Sequence, residues 1–182
     1  MAGAFVLLSG GLDSATLVAS LTGDGGKVSA LFIDYGQGAA VEEEVAARAV
    51  ASFYEAPLRL LRLSGLTCGV GEIRGRNAFL LHCALLAAPL EPTVVAIAIH
   101  GGVPYVDCGE DFVNLYRDSF ALHTGGEIDL AAPFLSMSKG EVLGVALELG
   151  VPLDLTYSCE RGGTPCGVCL SCLDRAHLDA LA

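Results

Sequence analysis

The sequence predicts an α/β protein with a parallel sheet and a small cysteine-rich lobe near its C-terminal end. Three observations carry this. Short apolar runs alternate with helical patterns; the first run breaks at "SGGLDS" before a helix; and four of the seven cysteines crowd between residues 159 and 172. Alternation of this kind argues for helices on both faces of a parallel sheet. At 182 residues, 53% hydrophobic and 17% charged, the chain is long enough for one such domain and too short for two comfortable ones.

Taken in order, residues 4–8, 28–34, 58–63 and 93–99 form short apolar runs suited to buried strands, the last rich in Val and Ile. Helices are expected over 14–22, 41–55, 77–88 and 110–122. In the second, Val41, Val45, Ala49 and Phe53 recur every four residues and mark an apolar face, with Glu42, Glu43, Glu44 and Arg48 mostly off it. A further helix is well punctuated: Ser138 and Glu141 make a capping box, Gly150 suits a left-handed stop and Pro152 follows. After Tyr157 the cysteine-rich stretch begins, and a short last helix is expected near Leu173. No repeat or low-complexity linker separates the parts, which gives a main domain over 1–157 and an appended lobe over 158–182 in the same compact unit.

The glycine stretch after the first strand lies at the carboxyl edge of a parallel sheet, where ligands bind in such folds. Gly10 and Gly11 let the backbone approach an anion, the helix from Ser14 points free N–H groups at it, and Ser9 and Ser14 add hydroxyls. Asp13 would repel phosphate unless a cation stood between them, so the combination suggests a pyrophosphate site with magnesium. It lacks the P-loop lysine and is not G-x-G-x-x-G. By composition alone, an N-capped helix after a tight turn accounts for the same residues.

Cys159, Cys166, Cys169 and Cys172 have the spacing C-x6-C-x2-C-x2-C. Four thiolates can close a tetrahedral zinc shell with no open position, which makes the ion structural. An iron–sulfur cluster is the rival for C-x2-C-x2-C. Zinc is preferred because the chain shows no other redox signature. Cys68 and Cys83 read as small hydrophobes. The net charge of −11 argues against broad nucleic-acid contact. No bilayer-length apolar run and no secretory signal are seen, which predicts a cytoplasmic protein. Arg76, in a glycine-rich loop, is the arginine best placed to meet a small anion. Among the histidines, His100 alone, at a strand end beside Gly101 and Gly102, is a candidate site-lining group.

"SGGLDS" resembles the PP-loop signature of the ATP pyrophosphatases, whose fold is the adenine nucleotide alpha-hydrolase-like, Rossmann-like sheet. "LFIDYGQ" at 31–37, "RGRNAFLL" at 74–81, "GGVPYVDCGEDFV" at 101–113 and "MSKGEVLGVALELGVPLDLTYSC" resemble, in the same order, segments of the QueC family of 7-cyano-7-deazaguanine synthases. The resemblance implies a ligase that uses ATP, Mg2+ and Zn2+ on 7-carboxy-7-deazaguanine, with ammonia as the nucleophile, giving an amide and then a nitrile. It implies ATP contacts by Ser9, Gly10, Gly11, Leu12, Asp13, Ser14, Asp34, Tyr35, Gln37 and Arg76, and catalytic roles for Asp13, Ser14 and Lys139. Asp13 would hold magnesium. Arg76, Asn77, Tyr105 and Asp107 would meet the substrate; Cys108 lies in a family motif, and Arg175 follows the last cysteine. Self-association or a partner protein is also implied.

The chain departs from the family in a short 64–73 segment and in Gly38-Ala39-Ala40, where the family usually carries basic residues. Two alternatives therefore stand beside the nitrile-forming enzyme. One is a relative that joins the activated acid to another amine, such as a protein N-terminus, in modification or defence. The other is a non-catalytic nucleotide-binding module.

Overall fold

The computed structural model describes residues 3–66, 68, 69, 71–91 and 93–179, with side chains as far as residue 176. The last three residues of the expected lobe, 180–182, lie outside the described residues. The chain runs β1 (Gly3–Leu7), α1 (Leu12–Gly23), β2 (Val28–Asp34), α2 (Ala40–Phe53), β3 (Leu58–Arg62), α3 (Arg76–Ala87), β4 (Thr93–Ala96), α4 (Glu110–Thr124), β5 (Ile128–Ala131), α5 (Lys139–Glu148) and α6 (Leu170–Asp179). All strand pairs are parallel, in the order β3-β2-β1-β4-β5. Phe5 pairs with Ser29 on one side and Val95 on the other, so β1 is central. The chain leaves β1 toward β2 and returns beside it as β4. The carboxyl ends of β1 and β4 therefore form the topological switch point, where a crevice opens.

The strand alternation divides the core into two layers. Val6, Leu8, Ala30, Phe32 and Ala96 face α1, α2 and α5. Phe5, Leu7, Leu31, Ile33, Val95 and Ile97 face α3 and α4 through Leu81, Ala84, Val113 and Phe120. Each fully buried Val, Leu, Ile or Phe among them contributes about 1.5–3 kcal/mol by leaving water. No helix of the described residues is long and apolar enough to cross a membrane.

Several expectations are corrected. Strand β4 stops at Ala96 rather than residue 99, although Ile97 and Ile99 stay buried. Helix α1 begins at Leu12 rather than Ser14, and α6 begins at Leu170 rather than Leu173. β5 was not expected; "IDLA" is short and carries only Leu130 as a fully buried side chain. The apolar face read on α2 is reversed: Val41, Val45 and Phe53 are 72%, 64% and 56% exposed, while Ala46, Ala47, Val50 and Ala51 are buried. Alanines permit closer approach than larger side chains, and here that approach sets α2 against the glycine loop.

The α5 punctuation is as expected. Ser138 and Glu141 exchange both capping-box bonds. Gly150 has φ 64°, and the amides of Gly150 and Val151 donate to the carbonyls of Leu147 and Ala146, a Schellman closure.

Candidate active site

The glycine loop leaves β1 and turns directly into α1. Gly10 has φ 82°, and a Cβ there would lie 2.5 Å from the Glu43 carbonyl and 2.8 Å from the Ala47 nitrogen. Its glycine is thus required by the approach of α2 as well as by backbone conformation, a reason the sequence reading missed. Gly11 is the N-cap of α1, and no side chain caps the helix. The first-turn amides consequently remain available to an anion. Ser9 and Ser14 bring their hydroxyl oxygens within 3.1 Å of each other, and the Ser14 hydroxyl donates to the Gly11 carbonyl at 3.0 Å. Leu12 contributes its side chain to the core, at 4% exposure, and leaves only backbone for a ligand.

Asp13, in the first turn of α1, meets Lys139 from 126 residues further along the chain. The Lys139 ammonium donates to both Asp13 carboxylate oxygens at 2.6 Å. Lys139 is the first residue of α5, where the helix dipole disfavours a cation. The carboxylate supplies the opposing attraction. His100 Nε2 stands 3.9 Å from Asp13 Oδ2, and its Nδ1 lies 2.8 Å from the Gly101 carbonyl, a contact that requires an N–H on Nδ1. The Gly101 amide donates to the Met137 carbonyl at 2.7 Å, which fixes the strand-end loop against the approach to α5.

On the other side of the crevice, "DYGQ" folds into a self-braced turn. Asp34 accepts from the Gly36 amide. Gln37 accepts from the Tyr35 amide and donates to the Ile33 carbonyl and to Glu43 at 2.8 Å. The Gln37 amide group is therefore directed into the turn. Tyr35 packs edge-on against Phe79; burial raises its hydroxyl pKa, and the nearby Arg76 guanidinium opposes the shift. Burial also raises the Glu43 carboxyl above the ordinary carboxylate range, against the Gln37 hydrogen bond and the Arg76 charge. Glu43 lines the crevice and was not singled out from the sequence, where it reads as the middle of a solvated acidic run.

Asn77 is buried at 5% exposure and donates to the Asp107 carbonyl, while its own amide donates to Asp107 Oδ2. Asp107 thereby caps the first turn of α3 from a distant segment. Burial raises the Cys108 thiol pKa, with the Asp107 charge adding to the effect. Arg76, Tyr105 and Asp107 line a cavity of about 580 Å3 together with Asp13, His100 and Lys139. Leu31, Ile33, Leu80 and Ile97 add apolar lining to the same cavity.

The four cysteines predicted to hold metal converge, with their sulfurs all within 4.8 Å of one another. The Cys166 and Cys172 sulfurs are 3.9 Å apart, close to the separation that a tetrahedral shell of about 2.3 Å bonds requires. The amides of Val168 and Cys169 hold the Cys166 thiol down at about 6, and the Arg161 amide lowers Cys159; burial pushes Cys172 up to about 12. The donor set fits zinc. The segment leading into the lobe is held to the glycine loop, since the Tyr157 amide donates to the Gly10 carbonyl at 3.0 Å. Arg175 donates to Thr156 Oγ1 and the Leu153 carbonyl, bracing α6 on the segment before the first cysteine.

The family model described as "Queuosine biosynthesis protein QueC" matches residues 3–68 and 70–179. A 7-cyano-7-deazaguanine synthase of Methanoculleus marisnigri is 36% identical over 199 residues, taking in 93% of this chain and 90% of the relative. One from Synechococcus sp. (strain CC9605) is 35% identical over 200 residues, taking in 93% and 88%. Both alignments are longer than the 182-residue chain, so the relatives carry internal residues that this chain lacks. A solved structure from Methanocaldococcus jannaschii, described as a predicted subunit of tRNA methyltransferase, shares the fold with a TM-score of 0.56 and 14% identity. It covers 80% of this chain and 76% of its own.

Proposed function

This chain belongs to the QueC family, and from that premise we propose that it is an ATP-dependent carbon–nitrogen ligase converting 7-carboxy-7-deazaguanine to 7-cyano-7-deazaguanine with ammonia. The observation that carries the reading is the Asp13–Lys139 ion pair beside the uncapped amides of α1. A cation held at an anion-binding helix terminus suits a phosphoryl centre where charge develops.

In this reading the amides after Gly11 and the hydroxyls of Ser9 and Ser14 hold the outer two phosphates. Lys139 passes from Asp13 to the α-phosphate. The substrate carboxylate oxygen attacks the α-phosphorus, the bond to the β-phosphate oxygen breaks and pyrophosphate leaves. Ammonia then adds to the acyl carbon, the bond to AMP breaks and a proton is lost, giving the amide. The amide oxygen attacks the α-phosphorus of a second ATP, the bond to the β-phosphate oxygen breaks and a second pyrophosphate leaves. The C–O bond then breaks, AMP departs with that oxygen, and the nitrogen loses its two protons to give the nitrile. Arg76 meets the nucleotide or the base, and Tyr105 and the Oδ1 oxygen of Asp107 meet the guanine-like edge. The carboxylate of Asp13 and two serine hydroxyls are hard oxygen donors of the kind magnesium takes, and Asp13 is the residue that would hold it. The ion supplies charge neutralisation on the phosphates.

The test is mass spectrometry of full-length protein with ATP, Mg2+, ammonium and 7-carboxy-7-deazaguanine. The expected product is the nitrile with AMP and pyrophosphate. An amide end product or a deazaguanine adduct on a polypeptide would redirect the second half of the reading. AMP release that does not depend on the acid would overturn all of it.

A further inference from the structure

Glu160 follows the first metal cysteine, and both of its carboxylate oxygens are engaged. Oε1 accepts from the Ser171 amide at 3.3 Å and from the Ser171 hydroxyl at 2.9 Å. Oε2 accepts from the Gly71 amide at 3.1 Å, across 89 residues of sequence. Ser171 stands between Cys169 and Cys172 in the first turn of α6, where free amides and the helix dipole favour a carboxylate. Ligation at Cys159, Cys169 and Cys172 would fix the backbone on both sides of this contact. The lobe thus sets the direction in which Glu160 points.

At the far end, Gly71 is joined to α3 by only four residues. Gly71 and the α3 N-cap Gly75 both have positive φ, 89° and 72°, and the Arg76 amide donates to the Ile73 carbonyl at 3.1 Å. These tight turns leave little slack between Gly71 and Arg76. Gly71, Ile73, Arg76, Glu160 and Ser171 line the same cavity.

We propose that Glu160 is a positioning residue that ties the four-cysteine lobe to the segment bearing Arg76, so that metal ligation holds this wall of the cavity in place. The proposal rests on the functional reading only in giving Arg76 a nucleotide to bind; its first readout needs no turnover.

The experiment compares metal-loaded full-length protein with Glu160→Ala and Glu160→Gln by metal content and by hydrogen–deuterium exchange of peptides spanning residues 71–76. Loss of a hydrogen bond to a charged group predicts that Glu160→Ala keeps its metal and exchanges about tenfold faster across 71–76, with α1 unchanged. Glu160→Gln, which retains an acceptor oxygen, falls between. Chelation gives the wild type the same rise and adds nothing to the alanine variant across 71–76. In turnover, the KM for ATP rises about tenfold while kcat moves less than about threefold. Wild-type exchange across 71–76 in metal-loaded Glu160→Ala, or faster exchange with an unchanged KM, overturns the proposal. If the alanine variant loses its metal, metal-loaded Glu160→Gln decides, and wild-type exchange there overturns it. A wild-type protein without acid-dependent turnover would refute the functional reading and leave the exchange result standing.

Discussion

Lys139 and Asp13 lie 126 residues apart, and no spacing rule joins them. Only the resemblance marked Lys139, and only the fold shows that its partner is the aspartate of the glycine loop. Because each is partly exposed, the pair adds little to stability, and its weight falls on catalysis. Lys139→Gln is expected to lower acid-dependent AMP release by about 10²–10³-fold with the thermal midpoint nearly unchanged, read by coupled pyrophosphate assay and melting. Glu43 gives a prediction of the opposite kind. Burial raises its folded pKa, so its contribution is most favourable below the unfolded carboxylate pKa and is lost as pH rises through the folded value. Glu43→Gln keeps an acceptor for Gln37 and removes the buried charge. It should therefore raise the melting temperature at pH 8 and give no such gain at pH 4. A gain at pH 4 as large as that at pH 8 would show that desolvation is not the cause.

At the level of elements, local signals were readable where they were chemical and unreadable where packing decided. The capping box and Gly150 stop of α5 were legible because caps and left-handed glycines act within a few residues. β2 was legible to the residue because "VSALFID" carries a continuous apolar run over 30–33 that is buried on both faces. β5 was not, since four edge residues carry too weak a pattern. The α2 face was misread because Val41, Val45 and Phe53 outweigh alanines in any hydrophobic count, whereas the sheet selected the small face. Gly10 is the counterpart of that choice. Gly10→Ala would strain a positive φ and drive a methyl into the α2 backbone, costing about 3 kcal/mol or more by denaturant unfolding. By contrast, replacing Val45 with Lys on the exposed face should change stability by less than about 0.5 kcal/mol. A large loss there would mean that this face is covered.

For the whole molecule, the sheet order, the crevice at the β1/β4 switch point and the cysteine lobe form one arrangement. The Arg175 bonds to Thr156 and Leu153 cross from the lobe to the main domain, and the Tyr157–Gly10 bond fixes the segment that leads into the lobe. Calorimetry of metal-loaded protein is expected to show one cooperative transition, and chelation should lower its midpoint because metal binding to such sites is linked to folding. Two separate transitions with metal bound would show that the lobe folds independently.

The central claim is that the glycine loop holds the outer phosphates while a substrate carboxylate attacks the inner one. It is tested most directly with 7-carboxy-7-deazaguanine labelled with oxygen-18 in its carboxylate. If that oxygen forms the bond to the α-phosphorus, the released AMP carries one labelled oxygen and the pyrophosphate carries none. Unlabelled AMP, or label found in inorganic phosphate beside ADP, would contradict the account.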